Sequence, residues 1–152
     1  IDTDFCLKKG ISLSICSRSG PSKEKFYIKN FAQGKWIYIP QINVRKTYEY
    51  LNSQQMVVFA HSTLGYEAMS KGIKCAVFYE NFPAREHYVK YPKSGIFWNN
   101  SKHYYDIEKT LNKVIRISNK NWNKIVKKYS SEILKYDAKN LRKNKIIKEA
   151  LK

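Results

Sequence analysis

Apolar residues fall first into short unbroken runs and later into stripes at helical spacing, and that change of pattern organises the chain. Residues 11–16 form a short apolar run closed by Ser17-Arg18-Ser19-Gly20-Pro21, a strand followed by a turn. Pro21 suits the first position of a helix and Glu24 its first turn; Tyr27, Ile28, Phe31 and Ala32 recur on one face until Gly34 ends it. Residues 35–39 read as a second strand stopped by Pro40, and Val44, Tyr48 and Leu51 are spaced for a second short helix. Residues 56–60 are a third strand without alternation, the pattern of burial on both faces. A helix over 63–71, closed by Gly72, and a fourth buried strand over 74–79 follow. Residues 80–95 are loop-like, with Pro83 and Pro92, before a short fifth strand over 96–98. The remainder predicts helices: Ile107, Leu111, Val114 and Ile115 share one face, Trp122, Ile125, Val126, Tyr129 and Ile133 another, and Leu141 and residues 147–151 supply a third apolar set.

Strands and helices alternating in this rhythm predict right-handed βαβ units, hence an α/β class: a Rossmann-like parallel sheet with helices on both faces and a helical C-terminal segment. The expected organisation is a tail or remnant of a preceding segment over 1–10, the Rossmann-like domain over 11–100, and basic helices packed on it over 101–152. A length of 152 residues supports a single core and excludes a two-lobed enzyme. Because the chain starts at Ile1, it is read as a piece of a longer protein.

Charge adds a second division. Lys and Arg number 29 against 12 Asp and Glu, a net charge of +17. Residues 100–152 alone hold 15 cations against 5 acids. Candidate partners are nucleic acid, an anionic membrane surface or an acidic substrate. The cations are mostly Lys, 24 of 29, and 12 Asn accompany them, so compositional bias on a solvated face explains the excess equally well. With no helix-turn-helix, RNA-recognition or zinc-finger signature, nucleic acid rests on charge alone and is the less favoured partner. Cys6, Cys16 and Cys75 are too widely spaced for a disulfide framework or zinc site, which fits a reducing cytoplasm. No run approaches the roughly 18 apolar residues of a membrane span. The expected location is cytoplasmic, with peripheral attachment at the inner membrane face as an extension.

The segment richest in chemistry is His61-Ser62-Thr63-Leu64-Gly65-Tyr66-Glu67-Ala68, followed by Gly72. A buried strand ends, a small hydroxylated turn follows and a helix starts, which is the local geometry of an anion site. First-turn N–H groups point outward, Ser62 and Thr63 add hydroxyls, and Gly65 would let a ligand approach the backbone. Glu67, one turn in, is placed to accept hydrogen bonds from ribose. The competing reading is that Ser62 or Thr63 caps the helix and Glu67 complements its dipole.

These residues resemble the nucleotide-sugar motif in the C-terminal half of GT-B glycosyltransferases, and in particular bacterial surface-carbohydrate biosynthesis proteins with a Ser-Thr-Leu-Gly-Tyr-Glu-Ala helix start. Pro92-Lys93-Ser94-Gly95-Ile96-Phe97-Trp98 and Tyr136-Asp137-Ala138-Lys139-Asn140 are similar to that group too, extending the resemblance over residues 11–152. The resemblance implies half of a GT-B fold, with the donor diphosphate on the helix start at Ser62, Thr63, Leu64 and Gly65, and the ribose on Glu67, five residues before Gly72. It also implies a nucleotide-sugar donor, a glycan or lipid-linked acceptor, no metal or other cofactor, and an N-terminal lobe supplying acceptor site and catalytic base. No catalytic residue is assigned in this chain.

Further candidates are Arg18, after the first strand, as a phosphate clamp; Ile39, where the second strand borders the base; and Arg85, in the loop after the fourth strand. His61 either assists phosphate or is structural. Two other functions stay open: glycerophosphate or polyol-phosphate transfer of the teichoic-acid type, and a non-enzymatic basic module binding RNA or membrane.

Overall fold

The structure, a computed structural model, describes residues 3–16, 26, 36–39, 44–60, 62–78, 94–133 and 141–150. It is α/β and Rossmann-like: all three pairings between its strands are parallel, and six helices accompany them among the described residues. The chain forms two compact units, Ile1–Ser53 and Gln54–Lys152.

In the first unit β1 (Leu13–Cys16) pairs with β2 (Trp36–Ile39), Leu13 opposite Trp36 and Cys16 opposite Ile39. Within residues 1–10, Thr3–Lys9 form α1, and its Phe5 is fully buried. Gly10, at φ 63°, ends this helix: its N–H reaches Leu7 O at 3.2 Å and the Ile11 N–H reaches Cys6 O at 2.8 Å. α2 (Val44–Asn52) buries Leu51 and places the Tyr50 hydroxyl against Ser14 Oγ on β1. The expected helix over residues 21–34 lies outside the described residues, apart from an exposed Phe26.

In the second unit the sheet order is β3 (Met56–Phe59), β4 (Lys74–Phe78), β5 (Trp98–Asn99). α3 (Thr63–Ser70) connects β3 to β4 and packs on both, while α4 (Tyr104–Arg116) packs on β4 and β5. Cys75, Ala76 and Val77 are all fully buried, so the central strand is covered on both faces. Cys75 faces α3, its Sγ lying 3.7 Å from Gly65 O. The unbroken apolar run of β3 does not receive the same cover: Met56, Val57 and Val58 are half-buried and only Phe59 is buried, because among the described residues β3 is an edge of this sheet.

The fifth strand is displaced from its expected place. Gly95 N–H donates to Trp98 O at 2.9 Å and Ser94 bridges to Asn99, so residues 94–99 turn back on themselves and leave Ile96 exposed. A Cβ on Gly95 would overlap the Trp98 ring, which is why this turn takes glycine.

α5 (Asn119–Ile133) packs on α3 through Trp122 and Val126. Phe97 knits this core, with edge-on rings of Trp98 at 4.8 Å, Tyr129 at 5.3 Å and Trp122 at 5.8 Å. On α4 the buried positions are Thr110, Leu111 and Val114, and Ile115, expected inside, is exposed. Its carbonyl instead accepts from Lys74 Nζ at 2.8 Å, a cation on the last turn of the helix. The apolar set of α6 (Leu141–Ala150) likewise stays outside, with Leu141, Ile146 and Ile147 all exposed. Among the described residues no helix is long and apolar enough to cross a membrane.

Burial pushes the Cys75 thiol far up, and partial burial pushes Cys16 up as well. Both thiols therefore hold their protons in the folded state to higher pH than in the unfolded chain. For Cys75 the effect is absent below the unfolded value of about pH 8.5, and stability falls as pH rises beyond it, by up to about 1.4 kcal/mol per pH unit, whereas solvent screening at the exposed Cys16 leaves it a minor contributor. Melting temperature should drop between about pH 8.5 and 10, and less steeply in Cys75→Ala. Equal slopes in the two proteins would remove Cys75 from the pH dependence.

Candidate functional site

Among the described residues the three strands of the second unit run the same way, so their ends at Phe59, Phe78 and Asn99 share one edge of the sheet, where ligands of open α/β sheets bind. α3 starts there. Ser62 is its N-cap, in extended backbone at φ −115° and ψ 123°, and its hydroxyl makes no capping hydrogen bond. Ser62 therefore holds the N-cap position through its backbone, with its hydroxyl not used as a cap. Its carbonyl accepts from the N–H groups of Gly65 at 3.1 Å and Tyr66 at 3.3 Å, leaving the amides of Thr63 and Leu64 without a partner within the turn. Thr63 is exposed, and Ser62 and Leu64 are half-buried.

Glu67 follows Thr63 by four residues and so lies on the same flank, about 6 Å further along the helix. It is half-buried, while the opposite flank buries Gly65, Ala68 and Met69. The side toward solvent thus carries hydroxyl, amide and carboxylate in sequence.

Two glycines of the motif have structural roles. Gly65 is buried, and a Cβ there would overlap Cγ, Cδ1 and Cδ2 of the Phe59 ring, which also meets Tyr66 edge-on at 5.0 Å. Its lack of a side chain admits the Phe59 ring at the end of β3, a packing reason for glycine beside the one expected from sequence. Gly72, at φ 88°, ends α3: its N–H donates to Met69 O at 2.9 Å and Ile73 N–H to Ala68 O at 3.1 Å. The five-residue spacing from Glu67 to Gly72 is in part the length of a short helix.

Ile39 is half-buried at the end of β2, in the other unit. Arg18, His61 and Arg85 lie outside the described residues. The structure adds polar groups at the end of β5 that sequence reading missed. Asn99 Oδ1 accepts from Ser101 N at 2.8 Å, Asn99 Nδ2 lies 3.5 Å from Thr110 Oγ1, and Thr110 Oγ1 donates to Asp106 O at 2.9 Å. Ser101 Oγ then accepts from His103 N at 3.1 Å. An Asn-Asn-Ser run after a strand is the available signal, since Asn and Ser bond the backbone two residues on. Among the described residues, no cluster of three or more His, Cys, Asp or Glu could hold a metal ion.

Fold and edge together define a parallel α/β protein with a polar helix start at the C-terminal end of its sheet. Over residues 2–151 the chain matches the model of a family described as "putative O-antigen biosynthesis protein", and it belongs to that family. Its role is accordingly in surface-carbohydrate biosynthesis. No curated protein and no solved structure matches it.

Proposed function

We propose that the second unit binds the nucleotide part of a nucleotide-sugar, with the diphosphate at Ser62, Thr63 and Leu64 and the ribose at Glu67, as the donor half of a GT-B-like glycosyltransferase acting on a glycan or lipid-linked acceptor. The observation that carries the reading is the start of α3, where a hydroxyl not used for capping and two first-turn amides meet at the sheet edge, with a carboxylate one turn in. Family membership supports the pathway. Such a site would stabilise a departing diphosphate through helix dipole and amides, without calling on a metal. Arg85, on the chain between β4 and β5 of the same unit, is the cation proposed to assist.

Calorimetry with a panel of nucleoside mono- and diphosphates tests it. Glu67→Ala should lose a ribose bond worth roughly 1 to 3 kcal/mol, or about ten- to hundredfold in affinity. Nucleoside binding should weaken while inorganic pyrophosphate binding holds. Equal affinity in wild type and variant would take Glu67 out of the site, and no nucleotide binding at all would overturn the reading.

A further inference from the structure

Residues 109–131 contain seven Lys and Arg and not one Asp or Glu. All seven, Lys109, Lys113, Arg116, Lys120, Lys124, Lys127 and Lys128, are exposed. On α5, Lys120, Lys124 and Lys127 fall within about 60° of one another on the side away from the buried Trp122. The helix lies along the sheet. Near its start Trp122 Nε1 donates to Ile73 O at 3.0 Å, beside the head of β4, and two turns later Tyr129 meets Phe97 and Trp98 at β5. Its lysines therefore form a row parallel to the helix axis.

We infer that this row docks on an anionic lipid surface. A like-charged strip with no acidic counter-charge in its sequence repels itself, and a diffuse negative surface relieves that repulsion. The cations are lysines save one, point charges suited to a fluid layer of headgroups rather than forks fixed on individual phosphates. Single-stranded nucleic acid would call for stacking rings among the cations. On α5 the rings turn inward, Trp122 buried and Tyr129 half-buried against Phe97 and Trp98, while the exposed Tyr105 that lies under Lys109 belongs to α4 and not to the α5 row. The inference stands independently of the nucleotide reading.

Co-sedimentation of the full chain with phosphatidylcholine vesicles, with and without phosphatidylglycerol, tests it. Binding should require phosphatidylglycerol and weaken from low to physiological salt. Neutralising Lys120, Lys124 and Lys127 together to Gln should weaken binding by about fivefold per lysine, on the order of a hundredfold in all. These side chains are exposed, so the fold should persist, as circular dichroism would verify. The control Lys8→Gln, Lys46→Gln, Lys9→Gln removes the same charge from exposed sites in the other unit and should change binding far less. An equal loss in the control, no binding to phosphatidylglycerol vesicles at low salt, or retention on single-stranded RNA without vesicle binding would each overturn the inference.

Discussion

Replacing Trp122 by Ala should cost about 3–5 kcal/mol, a large share of the roughly 5–15 kcal/mol that holds an ordinary domain folded. The indole is 1% exposed, edge-on to Phe97 at 5.8 Å, and its Nε1 donates to Ile73 O at 3.0 Å. One residue thus joins α5, the turn before β4 and the aromatic cluster under β5. Its removal leaves a cavity bordered by stiff rings that cannot collapse into it, so the cost belongs at the upper end of the large-to-small range. In a thermal melt this is a drop of roughly 10 °C. Trp122→Phe keeps most of the ring but loses the donor, and should cost about 1–2 kcal/mol. Tyr105→Ala, at a ring 71% exposed, should stay within about 0.5 kcal/mol. A Trp122→Ala loss no greater than that of Tyr105→Ala would show that α5 does not hold the second unit together.

The parallel strands and the helix starts were legible because each has a local cause. An apolar run of four or five residues between turn signals becomes β3 or β4 whatever lies beside it, and Gly72 ends α3 where the pattern says it must. Depth of burial was not legible, because it depends on position in the sheet. The runs at Met56 and Cys75 read alike, yet one forms an edge and the other the centre. Ile115 and Ile147 failed for a related reason: helical spacing identifies a stripe but not whether a neighbour covers it. The strand-turn-helix arrangement around Ser62, Thr63 and Glu67 was legible from its local pattern, whereas the polar cluster at Asn99 was not, because it depends on Ser101 and Thr110 across a short turn.

Gly65 is where sequence and structure give different physical reasons for the same residue, and the two reasons separate by experiment. A Cβ at residue 65 would overlap the Phe59 ring at Cγ, next to the backbone, where the ring cannot swing clear without a change at χ1. Gly65→Ala should therefore cost about 1–3 kcal/mol by overpacking, and Gly65→Val about 3 kcal/mol or more. Phe59→Ala alone should cost about 3–5 kcal/mol from lost packing, Phe59 being buried at the end of β3. The double variant should lose less than the two together, because each alanine removes the other's problem: one vacates the ring's volume and the other puts a methyl group into it. Urea unfolding of the four proteins gives the coupling, expected at about 1 kcal/mol or more in favour of the pair. Additive losses would sink the packing assignment. Nucleotide binding by the double variant then decides the remaining question. Affinity equal to wild type leaves Gly65 as the residue that lets β3 and α3 meet, whereas a folded double variant that no longer binds nucleotide returns Gly65 to the ligand's contact surface.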